Sequence, residues 1–277
     1  MGVNTASAKM QMLLQRVVFA LQRISSVSCL QLSTSVGTGM PRSYPSEIRK
    51  YVESFPVSHR NTFTSGSLRA HHLNLTTPVM RDYVKEFQRR HDLTYEQWES
   101  TLDVLYRKTT TNFEEVCIAG YMIGQYPKYR KQLPLPLLSS WIGNLQGWAE
   151  IDVTCQSNFP SQEVTARWDD GFHVCLTHDL VQSPLVSHQR ASLVLLLRTL
   201  RESNDERFLQ AALGNVDHLT KGEHKEDKLI TKAISWVLRT AIKQHREQVN
   251  AYVEANAASL PALAVREFRK KYTTGTK

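Results

Sequence analysis

The chain has few cysteines and no long apolar run, and each shortage excludes a class of protein. Cys29, Cys117, Cys155 and Cys175 lie far apart, with no CxxC pair among them. Neither the disulfide framework of a small secreted domain nor a paired-cysteine redox or zinc motif is present, and a reducing, intracellular setting fits. No segment approaches the roughly 18 uninterrupted apolar residues that a spanning helix requires, so no membrane partner is expected. Sustained period-two alternation is missing, and with it the signal of half-buried strands. Acidic residues are missing from residues 1–46, which carry Lys9, Arg16, Arg23 and Arg42.

That acid-free leader is rich in Ser and Thr and holds one short amphipathic stretch from Met10 to Ile24, with Arg16 and Arg23 along it. Its composition is that of a mitochondrial transit peptide. A disordered extension ahead of the fold, or an upstream start with Met40 as the working one, are the alternatives. Myristoylation is set aside, because Ala6 stands where that signal needs Ser or Thr. The folded domain is expected over 47–277.

What the chain does have is enough apolar sequence for a sizeable core. Of its 277 residues 41% are apolar and 22% charged, the balance of a globular protein. The net charge of +8 is uneven. Lys225 to Lys277 holds eleven Lys or Arg against five Asp or Glu, a local surplus of +6. One end of the domain therefore attracts a polyanion.

From about residue 47 the pattern reads as helix after helix. Thr77-Pro78 opens one that runs through Tyr83 and Phe87 towards Arg90. Thr94 with Gln97, and Thr111 with Glu114, read as capping boxes ahead of two more. Further helices are expected near 135–146, 147–157, 186–202, 205–218, 226–244, 246–257 and 260–272. Helix pairs joined by short turns and recurring every 35 to 45 residues or so predict an all-α fold, an α-solenoid of antiparallel helix pairs.

Three constellations carry chemistry. In the helix from Glu226 to Gln244, Ile230, Ala233, Ile234, Val237, Leu238 and Ala241 form the buried stripe. Opposite them Lys232, Trp236, Arg239 and Lys243 share a narrow arc, so a tryptophan sits within a cationic face. It is either an aromatic capped by long side chains or a surface for nucleic acid whose phosphates the cations hold. Trp148 and Asp152, one helical turn apart, point the same way. An indole face beside a carboxylate can hold a cation, although a surface Asp near a half-buried Trp would give the same spacing. Arg190 opens a helix on the same face as Val194 and Leu197. It either reaches solvent or meets an anion, a carboxylate or a phosphate.

These constellations, KAISWVLR (Lys232 to Arg239), SHQRAS (Ser187 to Ser192) and GWAEID (Gly147 to Asp152), closely resemble the motifs of the AlkD-like DNA alkylation repair glycosylases. The run from Val249 to Tyr272 resembles that family's final helix pair, closing Arg266-Glu267 included. The resemblance covers roughly 60–272. It implies HEAT-like repeats and a monomer holding duplex DNA with alkylated bases on a basic concave surface. The substrate implied is a purine alkylated at N3 or N7, which is positively charged. Carried over by position, Asp152 is the catalytic carboxylate, Trp148 and Trp236 are aromatic walls and Arg190 contacts the phosphate backbone; the cationic arc of the 226–244 helix adds Lys232, Arg239 and Lys243 as expected DNA contacts. No metal or organic cofactor is implied. The setting would be a DNA-containing compartment, the mitochondrion if the leader targets it.

One feature departs from the family. A tyrosine is usual ahead of the Thr-Pro segment, and Phe63 to Pro78 contains none, leaving Phe63, His71 or His72 to fill that wall. Paired His71-His72, and His173, Cys175 and His178, raise the alternative of a metal site but lack tetrahedral spacing on one helix face. The competing function is a non-catalytic HEAT-like scaffold for nucleic acid or protein. A scaffold for phosphate has no use for Asp152 between two tryptophans.

Overall fold

The computed structural model describes residues 43–55, 66–73, 75–156 and 158–275. The leader expected over 1–46 lies outside the described residues as far as residue 42, and Phe63 lies outside them too. In chain order the helices are α1 (Tyr44–Glu53), α2 (Thr77–Arg90), α3 (Tyr95–Leu105), α4 (Phe113–Gln125), α5 (Pro127–Arg130), α6 (Leu135–Gly143) and α7 (Trp148–Cys155). They continue as α8 (Ser161–Ala166), two wide π-type turns (Trp168–Phe172 and Cys175–Leu180), α9 (Val186–Val194), α10 (Leu197–Glu202), α11 (Glu206–Leu219), α12 (Lys228–Asn256) and α13 (Ala262–Thr274). Among the described residues there is no β-strand, and one isolated bridge joins His71 to Asn112.

α1 opens at Tyr44, ahead of the boundary at 47 that the sequence pattern gave. Its Ile48 and Val52 are fully buried. Arg49 pairs with the buried Glu115 of α4 at 3.1 Å, and the Tyr51 ring stacks on Tyr83 of α2 at 3.7 Å. The acid-free composition stops at Glu47, but the packing starts earlier, because Tyr44 lays its ring edge on Phe87.

The helix ends follow local chemistry. The capping box of Thr94 and Gln97 forms in full at the start of α3, and the side chains of Asp205 and Asp227 cap α11 and α12. The box expected at Thr111 does not form. Asn112 takes the cap position, and the Glu114 carboxylate accepts the amide of Leu73 at 2.8 Å instead. α2 begins at Thr77 with Thr76 at the cap, and the Thr77 hydroxyl accepts a bond from Tyr121 at 3.3 Å. Within α12, His245 leaves helical geometry at φ −133° and ψ 42°. That kink divides α12 near the expected break between 244 and 246.

Residues 158–185 carry helix α8 and the π-type turns, where no helix was expected. Trp168, Phe172, Leu176 and Leu180 recur every four residues and are buried. Asp170-Gly171 interrupts them, and Gly171 at φ +108° takes a backbone conformation that side chains resist.

α2 packs on α4, α4 on α7, α7 on α9 and α9 on α12, with α13 against α12. Buried apolar side chains run through the whole series. This row carries the residues singled out from the sequence: Trp148 and Asp152 on α7, Arg190 on α9, Lys232, Trp236, Arg239 and Lys243 on α12.

Candidate active site

The site is built around α7, which is set at a fixed angle by the residues just before it. Gly147 adopts φ +78°, and a Cβ there would lie 2.2 Å from the backbone carbon of Gly66. The segment 66–69 is thereby pressed against the first turn of α7, with Gly66 beside the Trp148 ring. Gly147→Ala combines a left-handed backbone with a backbone collision. It should lower stability by at least about 1 kcal/mol, roughly 2–4 °C in Tm for a domain of this size. It should also change Trp fluorescence as Trp148 shifts, and an unchanged melting curve would contradict the close approach.

Glu150 and Arg69 lock that contact. Both side chains are wholly buried, and the guanidinium meets the carboxylate in two bonds of 2.8 and 3.1 Å. Arg69 also donates to the carbonyls of Thr110, Arg107 and Asn144. Glu150 accepts from the Ser67 hydroxyl at 2.5 Å and the Gln146 amide at 2.8 Å. The sequence GWAEID thus divides by face: Glu150 and Ile151 turn inward, while Trp148 and Asp152 turn to a cleft.

That cleft, of about 510 Å³, lies between α2, α4 and α7. Its lining includes Asp152, Trp148, His72, Thr77, Arg81 and Tyr121. Of the residues that could replace the missing tyrosine, His72 is on the cleft, stacked on Phe113 with ring centroids 4.9 Å apart. His71 is exposed at the isolated bridge. Cys117 also lines the cleft, but burial pushes its thiol well above the usual range. It stays protonated and is no nucleophile.

Asp152 meets Arg190 in a two-pronged pair, Nε to Oδ1 at 3.0 Å and Nη2 to Oδ2 at 2.9 Å. The third nitrogen of Arg190 donates to the Leu229 carbonyl in the first turn of α12 at 2.6 Å. Arg190 is 3% exposed. The anion awaiting this arginine is therefore a carboxylate of the protein itself. Burial pushes the Asp152 carboxyl above the usual carboxylate range, while the Arg190 charge and its hydrogen bonds pull in the opposite direction.

The cationic arc on α12 is also divided. Arg239 pairs with Glu267 of α13 at 3.2 Å, and Ser235 donates to the same carboxylate at 2.5 Å. In KAISWVLR, Ser235 and Arg239 thus clamp the last helix, with Ile234, Val237 and Leu238 in the core. Lys232 and Lys243 are exposed, and Trp236 is half-buried against the core without lining the cleft. Sequence reasoning missed Arg69, Glu150, Arg81 and Tyr121. Only Glu150 had a local signal, an acidic residue in an otherwise apolar inner position of α7.

A family model described as DNA alkylation repair enzyme matches residues 66–272. The chain belongs to the DNA alkylation repair enzyme family, and its class of activity is DNA repair. A search of curated proteins finds no match. No helix of the described residues is long and apolar enough to cross a membrane.

Proposed function

We propose that this protein is a DNA glycosylase that excises positively charged N3- or N7-alkylated purines from duplex DNA. The observation that carries this reading is the Asp152 carboxylate, held by two bonds from Arg190 and facing the same cleft as the Trp148 indole. The packing of each helix on close neighbours in the chain supports a HEAT-like α-solenoid beneath it.

The chemistry asks little of the protein. In a cationic alkylated purine the glycosidic bond breaks with its electron pair going to the base, which leaves neutral. The sugar becomes an oxocarbenium ion at C1′, water adds there, and the proton it loses passes to solvent. Protonating the base is unnecessary. The protein must stabilise positive charge, first on the base and then on the sugar. An ionised Asp152 and the face of Trp148 do so. Arg190 acts on Asp152 as a positioning residue, fixing the plane of the carboxylate. Trp236, Lys232 and Lys243 extend the DNA surface along α12, and Arg239 shapes it through Glu267.

Protonating Asp152 removes the charge on which this depends. Burial raises its pKa, so excision should fall at a higher pH on the acid side than an exposed aspartate would give. Arg190 opposes that rise. Arg190→Lys keeps a cation but loses the two-pronged geometry, so its acid limb should move to higher pH. Single-turnover rates against pH for both proteins make the comparison, and coincident limbs would contradict the coupling.

The reading itself is tested with purified protein and methylated duplex DNA. Free methylated purine and alkali-cleavable abasic sites are the expected products. Tight binding without base release would instead favour the non-catalytic scaffold.

A further inference from the structure

Both arginines expected on the DNA surface are occupied by protein carboxylates: Arg190 by Asp152 and Arg239 by Glu267. Lys232 and Lys243 stand on α12, away from the cleft. A nucleotide reaching Asp152 brings its phosphates with it, and a cation near the cleft is needed to neutralise them.

Arg81 meets that need. It is exposed on α2, lines the cleft, and among the described residues no carboxylate pairs with it. Its guanidinium lies over the ring of Tyr121 at 5.2 Å from the centroid. The phenol is fixed in turn by its bond to Thr77 at 3.3 Å, and burial raises its pKa, so it remains a neutral platform. With the guanidinium over the ring and no carboxylate on it among the described residues, N–H donors of its planar fork remain for an anion. Arg81 also lines a second, smaller cleft of about 170 Å³. The two share Arg81, Tyr121 and Asn158, and the smaller one adds Lys85 and Gln125. The smaller cleft lies between α2 and α4, and Asp152 is not part of its lining.

We infer that Arg81, carried on Tyr121, binds a backbone phosphate of the strand whose nucleotide faces Asp152. The inference rests on the reading of the cleft as a nucleic-acid site and adds a subsite that none of the sequence motifs contains. Tyr121 is a positioning residue for the guanidinium.

The experiment uses the full chain and a duplex with an abasic analogue at the lesion position. One phosphate at a time is replaced by an uncharged methylphosphonate, and binding is measured against salt for the wild type, Arg81→Ala, Arg81→Lys, Tyr121→Phe and Tyr121→Ala. The Arg81→Ala salt slope should be shallower by about 1. Neutralising one particular phosphate should weaken the wild type and leave Arg81→Ala unaffected. Arg81→Lys should recover the slope, Tyr121→Phe should match the wild type, and Tyr121→Ala should lose sensitivity at that same phosphate. Unchanged thermal unfolding certifies each variant. An Arg81→Ala slope equal to that of the wild type, or equal sensitivity of both proteins at every phosphate, would overturn the inference. Since the readout is binding, loss of the phosphate coupling with base release intact removes only this subsite. Intact coupling without base release removes only the glycosylase reading.

Discussion

Arg69→Ala should destabilise the protein by about 3–5 kcal/mol, the range for breaking a buried ion pair from one side. The substitution leaves the wholly buried Glu150 carboxylate without its counterion, and it orphans the carbonyls of Thr110 and Asn144 that Arg69 now satisfies. Glu150→Ala should cost a similar amount for the complementary reason, a buried guanidinium without its counterion. Replacing both residues by apolar side chains of similar volume should cost less than either single change, because no unpaired charge remains. Chemical denaturation of the four proteins measures this. Additive losses would contradict the pairing. The functional consequence follows from position: these residues hold the segment 66–69 against the first turn of α7, so the singly substituted proteins should lose the orientation of Trp148 before they lose helix content.

Asp152→Asn should reduce excision by about 10²- to 10³-fold, the loss typical of removing one preorganised electrostatic contact. The amide preserves size but leaves Arg190 one acceptor in place of two and no counterion, so stability should fall and unfolding is measured alongside, while general DNA affinity should change little. What disappears is the negative charge proposed to face the sugar as its bond to the base breaks. Trp148→Ala should reduce excision of cationic lesions more than it reduces affinity, since an indole face favours positive charge. Base release from a pre-bound complex separates chemistry from binding. A wild-type rate for Asp152→Asn would remove Asp152 from the mechanism.

The parts of this arrangement legible in the sequence are those with local rules. Helix periodicity and caps located most helices, including the break at His245, because both depend on residues within a turn or two of each other. The shared direction of Trp148 and Asp152 follows from their spacing on one helix. The sequence leaves the partner of Arg190 open between carboxylate and phosphate, because Asp152 lies 38 residues away and no periodicity connects them. The same distance problem concealed Glu267 from Arg239, so a cation engaged with the last helix read as one free for DNA. At Thr111 the local rule lost to a tertiary bond, as the amide of Leu73 claimed the Glu114 side chain. Between 158 and 185 the apolar residues follow a spacing of four broken by Asp170-Gly171, a pattern that fits neither an ordinary helix nor a strand. Arg81 and Tyr121 gave no signal, being one cation among several on α2 and one aromatic on an apolar helix.

In the proposed mechanism the cleft at Asp152 stabilises positive charge during base loss. It is tested most directly by single-turnover base release from two matched duplexes, one with 7-methylguanine and one with the neutral lesion 1,N6-ethenoadenine, using the wild type and Asp152→Asn. The wild type should release 7-methylguanine and leave the neutral lesion in place, and Asp152→Asn should lose the first activity while still binding both duplexes. Equal release of both lesions, or release of 7-methylguanine that does not depend on Asp152, would contradict it.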